Sequence, residues 1–136
     1  MSADSRRDAL VLASNEHTTV MMNRFPYAHA HLMIAPRKHT ADFAGLESAI
    51  GAAVHRELQR AVRVLTEAYS PGGFNVGMNL GRVAGAGIAD HLHWHVVPRW
   101  EGDTNFMPVV ADVRVLPEAL SGSYEKIAAG FKQLTA

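Results

Sequence analysis

Residues 91–98 read His91-Leu92-His93-Trp94-His95-Val96-Val97-Pro98, three histidines in strict alternation with large apolar residues between them. A β-strand sends successive side chains to opposite faces. His91, His93 and His95 are therefore expected on one face, with Leu92, Trp94 and Val96 packing behind it. Neighbouring imidazoles on such a face stand roughly 7 Å apart. Imidazole titrates near neutrality, moves protons, attacks electrophiles and binds metals, so this face is expected to carry chemistry.

Around this row the pattern alternates between strand and helix periods. Residues 9–14 and 17–22 predict two short strands about an Asn15-Glu16 turn, and residues 30–35 a third strand stopped by Pro36. The stretch Asn23 to Tyr27 reads as a loop because Pro26 holds its predecessor extended. From 43 to 69, Phe43, Leu46, Ile50, Val54, Leu58, Ala61, Leu65 and Tyr69 recur at spacings of three and four, one stripe of an amphipathic helix. Glu47, Arg56, Glu57, Arg60, Arg63 and Glu67 fall mostly off that stripe and are expected on the solvent side. Ser70-Pro71-Gly72-Gly73 ends the helix. A strand over 74–80 and a glycine-bearing loop over 81–90 lead into the histidine row. A final helix is expected from near Pro117 to about Leu134, with Leu120, Tyr124, Ile127 and Phe131 on one side. The first few residues look frayed. Strands, long helix, strands, helix is the order of an α+β fold with a mainly antiparallel sheet.

The 136 residues are expected to form a single domain, spanning 1–136. Lys plus Arg and Asp plus Glu number 13 each, and a net charge of zero argues against a surface that tracks the phosphates of a nucleic acid. No apolar run reaches the roughly 18–20 residues that span a bilayer, so no membrane association is expected. The opening residues lack an apolar stretch behind their charges, which predicts a cytoplasmic protein. The chain has no cysteine, which removes disulfides, thiol nucleophiles and cysteine-ligated metals.

Alternating histidines suit metal ligation, nucleophilic catalysis, or a hydrogen-bonded row without function. The surroundings favour phosphate chemistry. Metal-binding histidines are usually oriented by carboxylates, whereas this row is flanked by Asn75, Gly77, Asn79, Gly81, Gly85 and Gly87, whose amides suit phosphate oxygens. One imidazole would attack a phosphorus in line while its neighbours bind the non-bridging and leaving oxygens. A phosphoramidate is labile, so both half-reactions can be fast.

The row His91-Leu92-His93-Trp94-His95-Val96-Val97, with Asn23, Pro26, His31, Leu32-Met33-Ile34, Pro36 and His39 upstream, resembles the histidine triad family of nucleotide hydrolases and transferases. The likeness extends from residue 9 to about 108. The segments Gly85 to Asp90, Pro98-Arg99-Trp100 and Gly102 to Phe106 look like the bacterial branch near the diadenosine tetraphosphate phosphorylases. The resemblance implies a five-stranded antiparallel sheet with one long and one C-terminal helix, a homodimer in which two sheets join, no cofactor, and a nucleotide or dinucleoside polyphosphate as substrate. It implies His93 as nucleophile, His95 at the α-phosphate and leaving oxygen, and His91 as support. His31 would lie near the phosphate, Asn23 at the ribose hydroxyls and Asn79 near the scissile phosphate. Met21 and Met33 would floor the purine pocket, and Gly87 would lie by the substrate.

Two departures bear on this. Many members carry Ser or Thr three residues before the first histidine, where this chain has Ile88. Some members bind structural zinc through a Cys-x-x-Cys pair, a histidine like His39 and the first triad histidine, a set this chain cannot complete. The third triad position keeps His95 in place of the glutamine of the uridylyltransferase branch. Two alternatives stand beside the enzyme reading: a nucleotide-sensing module with slow catalysis, and a zinc enzyme using His91, His93 and His95 as ligands. His17 and His29 are expected at the surface, His55 without a role, and Trp94 in the core. Trp100 either stacks on a base or covers a dimer edge.

Overall fold

Burial alternates along the second strand, Thr18, Val20 and Met22 inward and Thr19 and Met21 only partly covered, which is the signature of a sheet with one face packed. The computed structural model describes residues 1–26, 28–104 and 118–134. Five strands, β1 (Val11–Ser14), β2 (Thr18–Met22), β3 (Leu32–Pro36), β4 (Gly73–Gly77) and β5 (Trp94–Arg99), form one antiparallel sheet in the order β1-β2-β3-β5-β4. The helix α2 (Ser48–Tyr69) carries the chain from β3 to the far edge, and β5 returns between the two. The histidine-bearing strand is therefore an inner one, held on both sides. A helix α3 (Leu120–Gln133) completes an α+β architecture, as the sequence predicts.

The core lies on one sheet face. Val20, Met22, Leu32, Ile34 and Val96 pack under Val54, Ala61, Val64 and Leu65 of α2 and Ile127 and Phe131 of α3. Gly130 lets the helices approach: a Cβ there would stand 2.8 Å from Val64 Cγ1. Polar groups lock the same layer. Tyr124 donates its hydroxyl proton to the Val11 carbonyl at 2.8 Å. Arg60 donates from Nε to the Leu134 carbonyl and from Nη2 to that of Phe131, capping α3. Glu57, only 2% exposed, accepts from Arg60 Nη1 and from Asn15 Nδ2. Glu57 and Arg60 thus join the core side, against the sequence expectation. The reason is that α3 and the β1–β2 turn cover the flank of α2 and bring orphan carbonyls and an amide that these charges satisfy.

Several boundaries also differ. The N-terminus forms a short helix, α1 (Ala3–Asp8), because Ser2 Oγ accepts from Ser5 N and caps it. α2 begins at Ser48 and not at 43. Asp42 Oδ1 accepts from Gly45 N, and Thr40 Oγ1 from Asp42 N, so local turns win the backbone before the helix starts. Phe43 is left 48% exposed beside Trp94. The helix ends as predicted, with Ser70 in a left-handed conformation and its N–H donating to Thr66 O. β4 stops at Gly77, opposite His95, and β5 starts at Trp94, so Met78 and Leu80 lie beyond the ladder. Residues 82–84 form a 3-10 turn. The predicted helix start at Pro117, the segment from Asn105 to Phe106 and Tyr27 lie outside the described residues. No helix among those described is long and apolar enough to cross a membrane.

Candidate active site

The sheet face opposite the helices carries the candidate site. Register pairs Met21 with Met33, Met33 with His95, and His95 with Gly77, so two thioethers, an imidazole and a bare glycine form one row across four strands. His31 enters just before β3, and its carbonyl accepts from Asn23 N at 3.0 Å. Asn23 Oδ1 accepts from Phe25 N, which turns the chain beyond β2. His31 is 1% exposed, with Nε2 2.7 Å from Nδ1 of His95. Burial, with His95 and His93 close by, pushes His31 down to about 4. Burial and His93 also lower His95. Both rings are therefore neutral at pH 7.

The ring of His93 meets that of His95 at 5.1 Å and 77°, an edge contact. His93 Nδ1 donates to the His91 carbonyl at 3.0 Å, since a carbonyl can only accept. Its other nitrogen, Nε2, then holds the lone pair. The three triad histidines do not share one environment. His91 and His93 precede β5, and Leu92 N donates to Thr40 O at 2.8 Å, outside the sheet ladder. His91 turns to the 36–40 segment, where Nε2 donates to Pro36 O at 2.7 Å and Nδ1 lies 3.0 Å from Nδ1 of His39. Leaving the ladder frees the backbone of strand alternation, so the expected single face breaks at its first member.

Asn79 Nδ2 donates to Gly85 O at 3.3 Å and pins the turn in which Gly85 takes a φ of 96°. Gly87 is exposed with open space where a Cβ would be, and Ile88 is 61% exposed. A structural zinc does not fit the residues near His39. The chain has no cysteine, both His91 nitrogens are engaged, and among the described residues no three metal-donor side chains are arranged to hold a metal ion.

His29, expected at the surface, has a side chain only 9% exposed. It meets Tyr69 edge-on at 4.9 Å and Trp100 at 6.0 Å, and Glu118 lies 3.6 Å from its Nε2. No local pattern signals this burial, because the aromatics that cover His29 come from the ends of α2 and β5. Trp100 is anchored there, its indole N–H donating to Tyr69 O at 3.4 Å. Asp103, held far below the usual carboxylate range by Arg99, accepts from Trp100 N. Trp94 packs partly buried against the core.

Residues 5–102 match the HIT domain model. Over 116 residues the chain is 39% identical to an AP-4-A phosphorylase of Mycobacterium tuberculosis, covering 85% of this chain and 60% of that protein. The chain thus spans about 60% of the length of that curated relative. A Zn-bound histidine triad family protein from Mycobacterium smegmatis superposes with a TM-score of 0.75 at 25% identity, over 92% of this chain and 85% of that one. A hypothetical histidine triad nucleotide-binding protein from Sulfolobus tokodaii gives a TM-score of 0.76 at 22% identity, over 91% and 84%. The domain match runs through most of the chain and takes in all three histidines of the row, and on that ground the chain belongs to the histidine triad, or HIT domain, family.

Proposed function

We propose that this chain cleaves a dinucleoside polyphosphate, with diadenosine tetraphosphate as the first candidate, through a nucleotidyl-His93 intermediate. The observation that carries the reading is the His93 ring itself. Its Nδ1–H is committed to the His91 carbonyl, so in the neutral ring the Nε2 lone pair is the nucleophile, held beside His95. The similarity to an AP-4-A phosphorylase supports the choice of substrate.

In this mechanism Nε2 of His93 attacks the α-phosphorus and the bond to the bridging oxygen breaks, releasing ATP and leaving adenylyl-His93. His31 Nε2 and His95 Nδ1 lie 2.7 Å apart; in this mechanism His31 is the donor, so His95 carries its own proton on Nε2 and gives it to the leaving oxygen. Water or orthophosphate then attacks the same phosphorus and returns a proton to His95. The N–P bond breaks, and the product is AMP with water or ADP with orthophosphate. Asn23 binds the ribose hydroxyls, the Met21–Met33 pair floors the purine, and Asn79 and the loop bearing Gly87 sit over the polyphosphate. The chain acts as a single HIT domain and pairs as a homodimer through β4, which lies at a sheet edge.

Incubation with diadenosine tetraphosphate, with and without orthophosphate, tests this directly. ATP plus ADP appearing only with phosphate identifies a phosphorylase; ATP plus AMP without it identifies a hydrolase. His93→Ala is expected to keep nucleotide binding and lose at least about a thousandfold in turnover. Retained turnover in that variant sinks the covalent mechanism. The exposed Ile88, where many relatives carry a hydroxyl, favours one second reading, a nucleotide-sensing module. AMP affinity without turnover on any dinucleoside polyphosphate would select it.

A further inference from the structure

The segment that follows β3 grips the backbone just ahead of the nucleophile. The peptide between His91 and Leu92 is bonded at both ends: its N–H donates to Thr40 O at 2.8 Å, and its carbonyl accepts from His93 Nδ1 at 3.0 Å. The side chain of His91 is tied to the same segment by Pro36 O at 2.7 Å and His39 Nδ1 at 3.0 Å. The ring planes of His39 and His91 cross at 74° with centroids 4.9 Å apart.

These contacts fix proton positions. Pro36 O can only accept, so His91 carries its proton on Nε2. A neutral imidazole has one N–H, which leaves His91 Nδ1 bare, and the 3.0 Å contact then requires His39 to donate from Nδ1. We infer that His39, an exposed residue outside the triad, is a positioning residue for the nucleophile: its Nδ1–H fixes the tautomer and orientation of His91, and the anchored His91 backbone fixes His93. The chain of donors runs from His39 to His91 and, through the peptide, orients the lone pair on His93 Nε2. The inference rests on the proposed role of His93, and its test reads protons as well as rates.

Long-range proton–nitrogen correlation on 15N-labelled protein assigns each ring. The expected pattern is Nδ1–H for His39, Nε2–H for His91 and Nδ1–H for His93. His39 found as the Nε2–H tautomer overturns the inference, whatever the enzyme turns over. In parallel, His39→Ala is expected to lower kcat about tenfold with KM changed less than about twofold. Asn places an amide N–H where Nδ1 stood, so His39→Asn should recover to within about threefold of wild type. Gln places its amide near the Nε2 position, so His39→Gln should behave like His39→Ala. Equal rates for the Asn and Gln variants overturn the inference even if the spectrum agrees. Absence of turnover in the wild-type protein would overturn the proposed activity and leave the spectrum to decide the role of His39.

Discussion

Mild acid should destabilise this protein through His31, beginning above the pH at which ordinary carboxylates protonate. His31 is 1% exposed and its protonation is pushed from 6.5 to about 4, chiefly by burial and then by His95 and His93. In the unfolded chain the ring takes its proton near the ordinary value. Between those two limits the unfolded state binds one more proton than the native state, so stability rises with pH across the window and falls on acidification. The contribution is complete above about pH 6.5 and lost as pH falls towards 4. The full span amounts to about 3 kcal/mol, and from pH 7.5 to pH 5 the loss is about 2 kcal/mol. His95 and His29 are lowered in the same direction, also by burial, and steepen the wild-type slope. The assay is urea denaturation at half-unit pH steps in wild type and His31→Gln, whose amide keeps a donor for His95. The difference between the two stability curves isolates His31. A variant that shows the wild-type slope between pH 5 and 7.5 would refute the argument.

Arg60→Ala removes two charged hydrogen bonds from the last carbonyls of α3 and leaves Glu57 without its cation. The expected loss is about 2–4 kcal/mol, with hydrogen exchange rising first at the C-terminal turn of α3. Gly130→Ala drives a Cβ to 2.8 Å from Val64 Cγ1 and should cost about 1–3 kcal/mol, read as a lowered urea midpoint at unchanged m. Ile127→Ala, at a fully buried position between the helices and the sheet, should cost about 2–5 kcal/mol by the same measurement.

The elements legible in the sequence were those whose partners are regular. The α2 stripe from Ile50 to Leu65 shows its period because one sheet face covers it throughout. Val20, Leu32, Ile34 and Val96 announce strands because their neighbours alternate. What stayed hidden depends on contacts between distant segments. Glu57 reads as a solvent residue until Asn15 and Arg60 are brought to it. His29 reads as exposed until Tyr69 and Trp100 arrive. The break between His91 and His95 is invisible to periodicity, because alternation in sequence says nothing about where the ladder ends. It ends at Trp94, the last partner of β3 (opposite Ile34), one residue past the last β4 pair, Gly77 with His95. Thr40 and His39 then take over the backbone and ring that the sheet has released.

The contact between His31 and His95 spans 64 positions of chain, and that between His39 and His91 spans 52. All of α2 and β4 lies between the two segments that supply the imidazoles. Closing so long a loop carries an entropy cost that no local element repays, so these contacts cannot form early and independently. Chemical competence in this molecule should therefore appear together with the last step of sheet assembly, the insertion of β5 between β3 and β4. A chain cut within α2 would keep every one of its histidines and have no means of holding them to each other.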